Sequence, residues 1–534
     1  RCGVCACACA SLCRRSLCVH IARSPRSPRL SHRTRTMGLG GHAPTHASYL
    51  WEEGRELIKL GVPVMATNLF ATLLLLVDSA FLGHLGPTEL AAASLGSAYW
   101  NVVWYFMLGV STALDTLASQ AHGAGDSRAV RRWAIIAAAV LLALCVPAAG
   151  VLWISEWVVA NGFRQSDAMA KMTGDYCIGL IPGLVPMALF TGLQKFQQSQ
   201  SRMAPSVWVG LICNVANAAF NYWFIWVLNG GVVGGALATS ASRALSLVLL
   251  AAAELRWLRA QQRGRQSEAR LTRSASGASA DSERTSNGEL LWRFLQLGLP
   301  GGLMLGLEAW SFELQTILAG RLGQTALDAH TIMLSVAGFT FISFPFGVSV
   351  AAAIRIGTLL GAQKPTRASA SMQCAIGLGV GFMGVCGVLM ELCRDNIGAL
   401  FTNDEDVNSM VATLAPIAAL FQVLDGLVGV CGGVFRGLGR QKLVALVNVF
   451  AFWLLGVPLG AFLAFYGGMG VSALWWGLTL GLFASSGAYV VLLLGIDWAE
   501  EAKLALYRST IGPDGALGDD DDVLLRDKTR PLLS

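Results

Sequence analysis

The residues of this chain best able to do chemistry are carboxylates placed where carboxylates are costly. Glu308 and Glu313 lie in "LEAWSFE" (307–313), inside the apolar run "LGLPGGLMLGLEAWSFELQTILAGRLG". Asp425 lies in "LFQVLDGLVGVCGGVFRG", and Asp78 ends the run "LLLLVD". An ionised Asp at the centre of a membrane helix costs about 2.5–3.5 kcal/mol on insertion scales, so each is a functional candidate by default. Such a residue persists if it faces a wet cavity, takes a proton or pairs with a cation. A site that alternates between the last two is an antiport site. Glu308 and Glu313 stand roughly 140° apart around a helix and ~7.5 Å apart along it, so they need not share a task.

These residues need membrane helices to position them. The 534 residues are 54% hydrophobic and only 13% charged, with the charges gathered between long apolar runs. A span needs about 20 apolar residues to cross ~30 Å of hydrocarbon. Twelve such runs are expected, near 59–82, 90–113, 133–154, 174–194, 205–228, 232–254, 294–319, 328–350, 372–392, 410–434, 442–465 and 470–496. The even-numbered connections carry the basic residues, among them Arg128, Lys195, Arg355, Arg436 and the seven arginines of "RWLRAQQRGRQSEARLTRSASGASADSERTSNG". The positive-inside rule then puts both termini in the cytosol. The net charge of +6 is a topology signal, with no nucleic-acid partner implied.

The chain divides into a polar segment (1–50), a six-span half (51–255), a Ser/Arg-rich cytosolic linker (256–290), a second six-span half (291–497) and a cytosolic tail (498–534). Positions 1–36 hold eight Arg and no acid, so they read as a transit peptide or as a stretch outside the natural protein, with Met37 the expected start. The tail is expected to form an amphipathic helix over 498–508, followed by the acidic dileucine pattern "DDDVLL" (520–525), readable by sorting adaptors. Six cysteines crowd the opening stretch "RCGVCACACASLCRRSLC", and seven are dispersed in apolar runs without zinc spacing, so no metal or other cofactor is expected.

The halves repeat. "LIKLGVP" (57–63) matches "FLQLGLP" (294–300), and the same offset sets "FLGHLGPTELAA" (81–92) over "LAGRLGQTALDA" (318–329). With one extra residue, "GVSTALDTLASQAHGAG" (109–125) falls on "GVSVAAAIRIGTLLGAQ" (347–363). Six spans per half is an even number, so the repeat is parallel, a pattern that places a solute path between halves that rock against each other.

The motifs "VDSAFLGHLG" (77–86), "GVSTALDTLASQAHGAG" (109–125), "LQKFQQSQ" (193–200), "LEAWSFE" (307–313), "PFGVSVAAAIRIGTLLGA" (345–362) and "GGVFRGLGRQ" (432–441), taken in order, resemble the multidrug and toxic compound extrusion (MATE) transporters, eukaryotic branch, over residues 50–497. The resemblance implies an all-α, V-shaped fold of two six-helix bundles. It also implies export of organic, often cationic solutes against H⁺ or Na⁺. It assigns Glu308 as the central proton and cation site, Asp425 as its partner in span 10, Glu313 as a second acidic position and Asp78 as a coupling carboxylate of the N-terminal half. Asn217 and Asn221 of "NVANAAFN" share a helix face, and with Trp310 and Gln194 they are expected to line the solute cavity. Two departures stand out: Ser335 replaces a span 8 Glu of animal members, and Asn221 replaces an Asp of the archaeal and bacterial pattern.

Asp115 is expected to be solvated or helix-terminal, and Arg243, inside span 6, has no evident partner. The expectation is a monomeric, multi-pass H⁺/organic-solute antiporter of the plasma or vacuolar/lysosomal membrane, its partners being the small solute and membrane lipid. Na⁺ coupling or organic-acid export is the alternative. A lipid-linked oligosaccharide flippase is disfavoured by the acidic centre. A membrane enzyme is disfavoured because the spans hold no GxGD or HExxH motif.

Overall fold

The computed structural model describes residues 46–162, 165–271 and 287–509. The N-terminal Arg-rich segment, most of the linker and the dileucine pattern lie outside them. The described residues are helical throughout, without strands. In chain order the helices are α1 (His46–Gly83), α2 (Pro87–Ser111), α3 (Ala113–Gly123), α4 (Ser127–Trp153), α5 (Ser155–Asn161), α6 (Asp167–Leu180), α7 (Leu184–Ser199), α8 (Ala204–Asn221) and α9 (Gly231–Leu271). The second half continues with α10 (Asn287–Leu322), α11 (Gln324–Ser343), α12 (Pro345–Gly361), α13 (Pro365–Leu392), α14 (Arg394–Ile397), α15 (Glu405–Leu438), α16 (Gln441–Asn448), α17 (Val457–Phe465), α18 (Gly470–Leu494) and α19 (Trp498–Ser509).

Among the described residues, eleven helical segments are long and apolar enough to span by themselves. The twelfth span is α8 with the π-helical turn Tyr222–Val227 that continues it. Its mean hydropathy is lowered by Asn214, Asn217 and Asn221, which are the residues that give it a polar face. Span 2 is α2 and α3, interrupted at Thr112, and span 8 is α11 and α12, interrupted at Phe344. Span 11 carries a second π-helical stretch, Val449–Gly456, as span 5 carries the first. The repeat is thus visible in the irregularities as well as in the motifs. Pro63 and Pro300, related by the offset of the repeat, sit inside the first helix of each half.

Polar residues set the helix ends. Asp126 Oδ1 accepts from the amides of Arg128 and Ala129 at 2.9 Å each, capping α4. Asp404 does the same for α15, at 2.9 Å to Asp406 and 3.2 Å to Val407. A side-chain cap of this kind is worth about 1 kcal/mol. The α15 C-terminus stops at Gly439, whose φ of +75° is a left-handed value that suits glycine.

The blocks that reveal the repeat in sequence are also the ones that join the halves. α3 packs on α12 across the interface. A Cβ at Gly361 would collide with the Gln120 carbonyl oxygen, and one at Gly123 with that of Thr358. Such close backbone approach between helices is what small residues permit in membranes, where packing must replace the hydrophobic effect. The start of α1 crosses over as well: Leu57, Leu60 and Val64 belong to the buried core of the second half.

Candidate functional site

Three polar centres lie along the molecule. In the second half, Glu308 (α10) and Asp425 (α15) lie in electrostatic range of each other. Asp425 is 5% exposed. Among the described residues neither carboxylate accepts a side-chain hydrogen bond or makes an ion pair. Beside them a polar chain runs from Tyr489 (α18), whose hydroxyl donates to Asn448 Oδ1 at 2.7 Å, to Asn448 Nδ2, which donates to the Met304 carbonyl at 3.0 Å. Tyr489 is in electrostatic range of Glu308, and Tyr105, from α2 of the first half, is in range of both Glu308 and Glu313. Glu313 itself is half-buried, without a side-chain hydrogen-bond partner among the described residues. The Tyr105, Tyr489 and Asn448 positions carried no sequence signal, because aromatic and amide residues in apolar runs are usually packing or interhelical hydrogen bonding.

Trp310 is half-buried, and its Nε1 donates to the Val102 carbonyl at 2.8 Å, tying α10 to α2 of the other half. Phe312 stacks edge-on against Phe421, with ring centroids 6.1 Å apart. Gln194 stands on α7 one residue before Lys195, half-buried and bonded to none of these groups.

In the first half, Asp78 is 4% exposed and held by three neutral donors. Asn217 Nδ2 reaches Oδ1 at 3.0 Å, Asn221 Nδ2 reaches Oδ1 at 2.7 Å, and Thr239 Oγ1 reaches Oδ2 at 2.7 Å. The spacing argument that put Asn217 and Asn221 on one face is explained: both face Asp78, from one turn to the next of α8. They are fully buried against it.

The third centre joins the halves at the end where α9 stops and α10 begins, called the linker end below. The expectation that Asp115 is solvated or helix-terminal holds for its place in the first turn of α3 and fails for its exposure. Asp115 is 0% exposed, with Lys195 Nζ 2.7 Å from Oδ2 and Arg436 Nε 3.9 Å from the same oxygen. Lys195 belongs to the same half and Arg436 to the other. Thr116 Oγ1 donates to the Arg436 carbonyl at 2.5 Å, Gln120 Nε2 to the Gly437 carbonyl at 3.0 Å, and Gln441 Nε2 to Thr116 Oγ1 at 2.8 Å. A second cluster lies at the same end. Glu53 (α1), 0% exposed, takes Arg355 (α12) at 2.6 and 2.9 Å and Arg367 (α13) at 2.7 Å. The helix α19 closes over this end, with Arg508 donating to the Leu438 carbonyl at 2.6 Å and Glu501 paired with Arg440. Lys195, Arg355 and Arg436, counted from sequence among loop charges, therefore sit inside helices, because their partners are buried acids.

Two helical bundles of six spans, joined by small-residue packing and holding unpartnered carboxylates, define a transporter-type membrane fold. The sequence model of the MatE family matches residues 63–223 and 300–462, once per half and at the offset of the internal repeat. The chain is 33% identical over 458 residues to multidrug and toxin extrusion protein 2 of Oryctolagus cuniculus, covering 85% of this chain and 73% of that one. It is 30% identical over 498 residues to multidrug and toxin extrusion protein 1 of Homo sapiens, covering 93% and 84%. Among solved structures it superposes on the eukaryotic MATE transporter AtDTX14 with a TM-score of 0.77 at 24% identity, covering 86% of this chain and all of that one. It superposes on the Vibrio cholerae MATE transporter VcmN with a TM-score of 0.71 at 17% identity, covering 86% and 99%. The chain belongs to the MatE family: it is a multi-pass membrane protein of the multidrug and toxin extrusion transporters.

Proposed function

We propose that the protein is a secondary antiporter that exports organic, chiefly cationic solutes in exchange for H⁺. The observation that carries this reading is the Glu308–Asp425 pair, two acids inside the spans, one half-buried and one buried, that lie in electrostatic range of each other and have no side-chain hydrogen bond or ion pair among the described residues. Such a pair is relieved by one positive charge, either a proton or the cationic group of a solute, and the two compete for it. The basic connections put the linker end in the cytosol. The Asp115 and Glu53 clusters then close the cytosolic side, and the pair discharges its cation to the opposite side.

Arg436 links site and closure, since it lies in electrostatic range of both Glu308 and Asp115. Neutralising Glu308 removes one of two acids that compete for Arg436, leaving it to Asp115 and favouring the closed cytosolic side. A charge moving through 100 mV supplies about 2.3 kcal/mol, which is roughly fiftyfold accumulation for one charge per cycle. The test is uptake of a fluorescent organic cation by proteoliposomes under an imposed pH gradient, at fixed pH with and without Na⁺. Uptake should follow the H⁺ gradient without Na⁺ and be lost in Glu308→Gln. Undiminished transport by Glu308→Gln would refute the site assignment, and a strict Na⁺ requirement would refute proton coupling.

A further inference from the structure

The first half holds a charged group that the reading above does not use. Arg243 stands on α9 one turn beyond Thr239, so the two share a face. Its guanidinium lies 3.9 Å from the centroid of the Trp100 ring. Trp100 in turn stacks on Trp104, with centroids 5.9 Å apart and planes at 16°. The titratable groups in electrostatic range of Arg243 are Asp78 from α1 and Tyr176 from α6. Asp78 is beyond ion-pair distance, and its two oxygens are already taken by Asn217, Asn221 and Thr239. The Tyr176 hydroxyl is engaged 3.4 Å from that of Ser97.

The guanidinium makes no hydrogen bond and no ion pair among the described residues, and its Nη1 is sealed from solvent without a partner. Arginine carries five N–H donors in a fork that matches an acidic oxyanion. The residue as a whole is half-buried, and the part of a charge that is desolvated without a partner is costly. Stacking on Trp100 orients the fork but accepts none of its hydrogens. Trp100 and Tyr176, the groups beside Arg243, belong to the buried core of this half.

We infer that Arg243 is a solute subsite for an acidic oxyanion, a carboxylate or sulfonate on an organic molecule. The inference rests on the export reading and widens it: the second half takes the basic group of a solute, and the first half offers the complementary charge.

Two dyes separate the charges. Rhodamine 110 carries a free carboxylate, and rhodamine 123 is its methyl ester, a cation. Binding of each is measured by fluorescence polarisation with the full chain in neutral phosphatidylcholine nanodiscs, with empty discs as blanks. Arg243→Gln should weaken rhodamine 110 binding on the order of thirtyfold or more, the cost of truncating one partner of a buried charge pair. Rhodamine 123 binding should be unchanged, and Arg243→Lys should restore part of the rhodamine 110 affinity. Equal loss of both dyes in Arg243→Gln, no loss of either, or failure of the native chain to bind rhodamine 110 overturns the subsite. Transport of the same dyes under a pH gradient is read separately. Arg243-dependent binding without transport keeps the subsite and refutes the export reading, whereas rhodamine 123 transport with Arg243-independent rhodamine 110 binding does the reverse.

Discussion

Asp115→Asn should open the linker end. Arg436 Nε is 3.9 Å from Asp115 Oδ2, with both groups buried. Two unit charges at this separation attract by about 4 kcal/mol at the effective dielectric of 20 that suits protein sites, and by about 1 kcal/mol in water. Opening returns Arg436 to solvent and recovers part of its desolvation cost, so about half the larger figure is a reasonable net value. That is about 2 kcal/mol, or roughly thirtyfold in the ratio of closed to open. The Lys195 pair does not enter this balance directly, because Lys195 and Asp115 belong to one half and stay together in both states. The neutral variant also leaves Lys195 and Arg436 as facing cations in the closed state alone, which pushes the same way.

Spin labels at exposed Ala124 and Lys442, one on each half, report the separation of the linker ends in a background whose reactive cysteines have been replaced. The parent should give one short distance, and Asp115→Asn should add a longer population. Lys195→Met is the control: it frees Asp115 for Arg436 alone and should keep the end closed. An unchanged distance distribution in Asp115→Asn would refute the electrostatic account. Opening by Lys195→Met to the same extent would show that packing, and not the cross-half charge, holds the end shut.

Two further expectations follow from the same contacts. Gly361→Val places side-chain atoms against the Gln120 carbonyl, so it should open the same labelled pair and stop transport in proteoliposomes while leaving the helical circular-dichroism signal intact. Asn221→Ala removes the 2.7 Å donor to Asp78, and a hydrogen bond to a charged group is worth about 1.5–3 kcal/mol. Its melting temperature should fall measurably, and a melt equal to that of the parent would show that Asp78 does not depend on this bond.

What the sequence made legible was what recurs or stands out locally. The repeat offset, the twelve spans and the unusual acids at 78, 308 and 425 all needed only composition and spacing. Residues paired over long separations were not legible. Glu53 meets Arg355 and Arg367 from the far end of the chain, so no local pattern announces either pair. Asp115 reads as a helix-end or solvated charge and Lys195 as a loop charge, and only their long-range pairing removes both from solvent. The one available signal was that Lys195 lies inside an otherwise uncharged helical stretch, "LVPMALFTGLQKFQQS". In the same way the asparagines of α8 read as weak interhelical bonds until Asp78 came into view as their common acceptor. Their polarity is also why α8 alone falls short as an apolar helix.

The buried acids of this fold are compensated in three different ways, and the differences assign their tasks more sharply than burial does. Glu53 meets Arg355 and Arg367 from the other half, so its compensation depends on how the halves are arranged, whereas Asp115 keeps Lys195 from its own half and adds Arg436 from the other. Asp78 is held by neutral donors within its own half, so it keeps its partners whichever way the halves move. Glu308 and Asp425 lie in electrostatic range of each other without a side-chain donor or cation in contact among the described residues. A fold that answers Glu53, Asp78, Asp115, Glu254 and Glu501 from its own residues, and leaves Glu308, Glu313 and Asp425 without a side-chain partner among the described residues, assigns the remaining compensation to something that arrives and departs. Arg436, shared between Glu308 and Asp115, makes that arrival felt where the halves close. On this reading the energetic cost of the unpartnered pair is what drives exchange, and filling it with a permanent internal cation would stabilise the protein and stop the cycle.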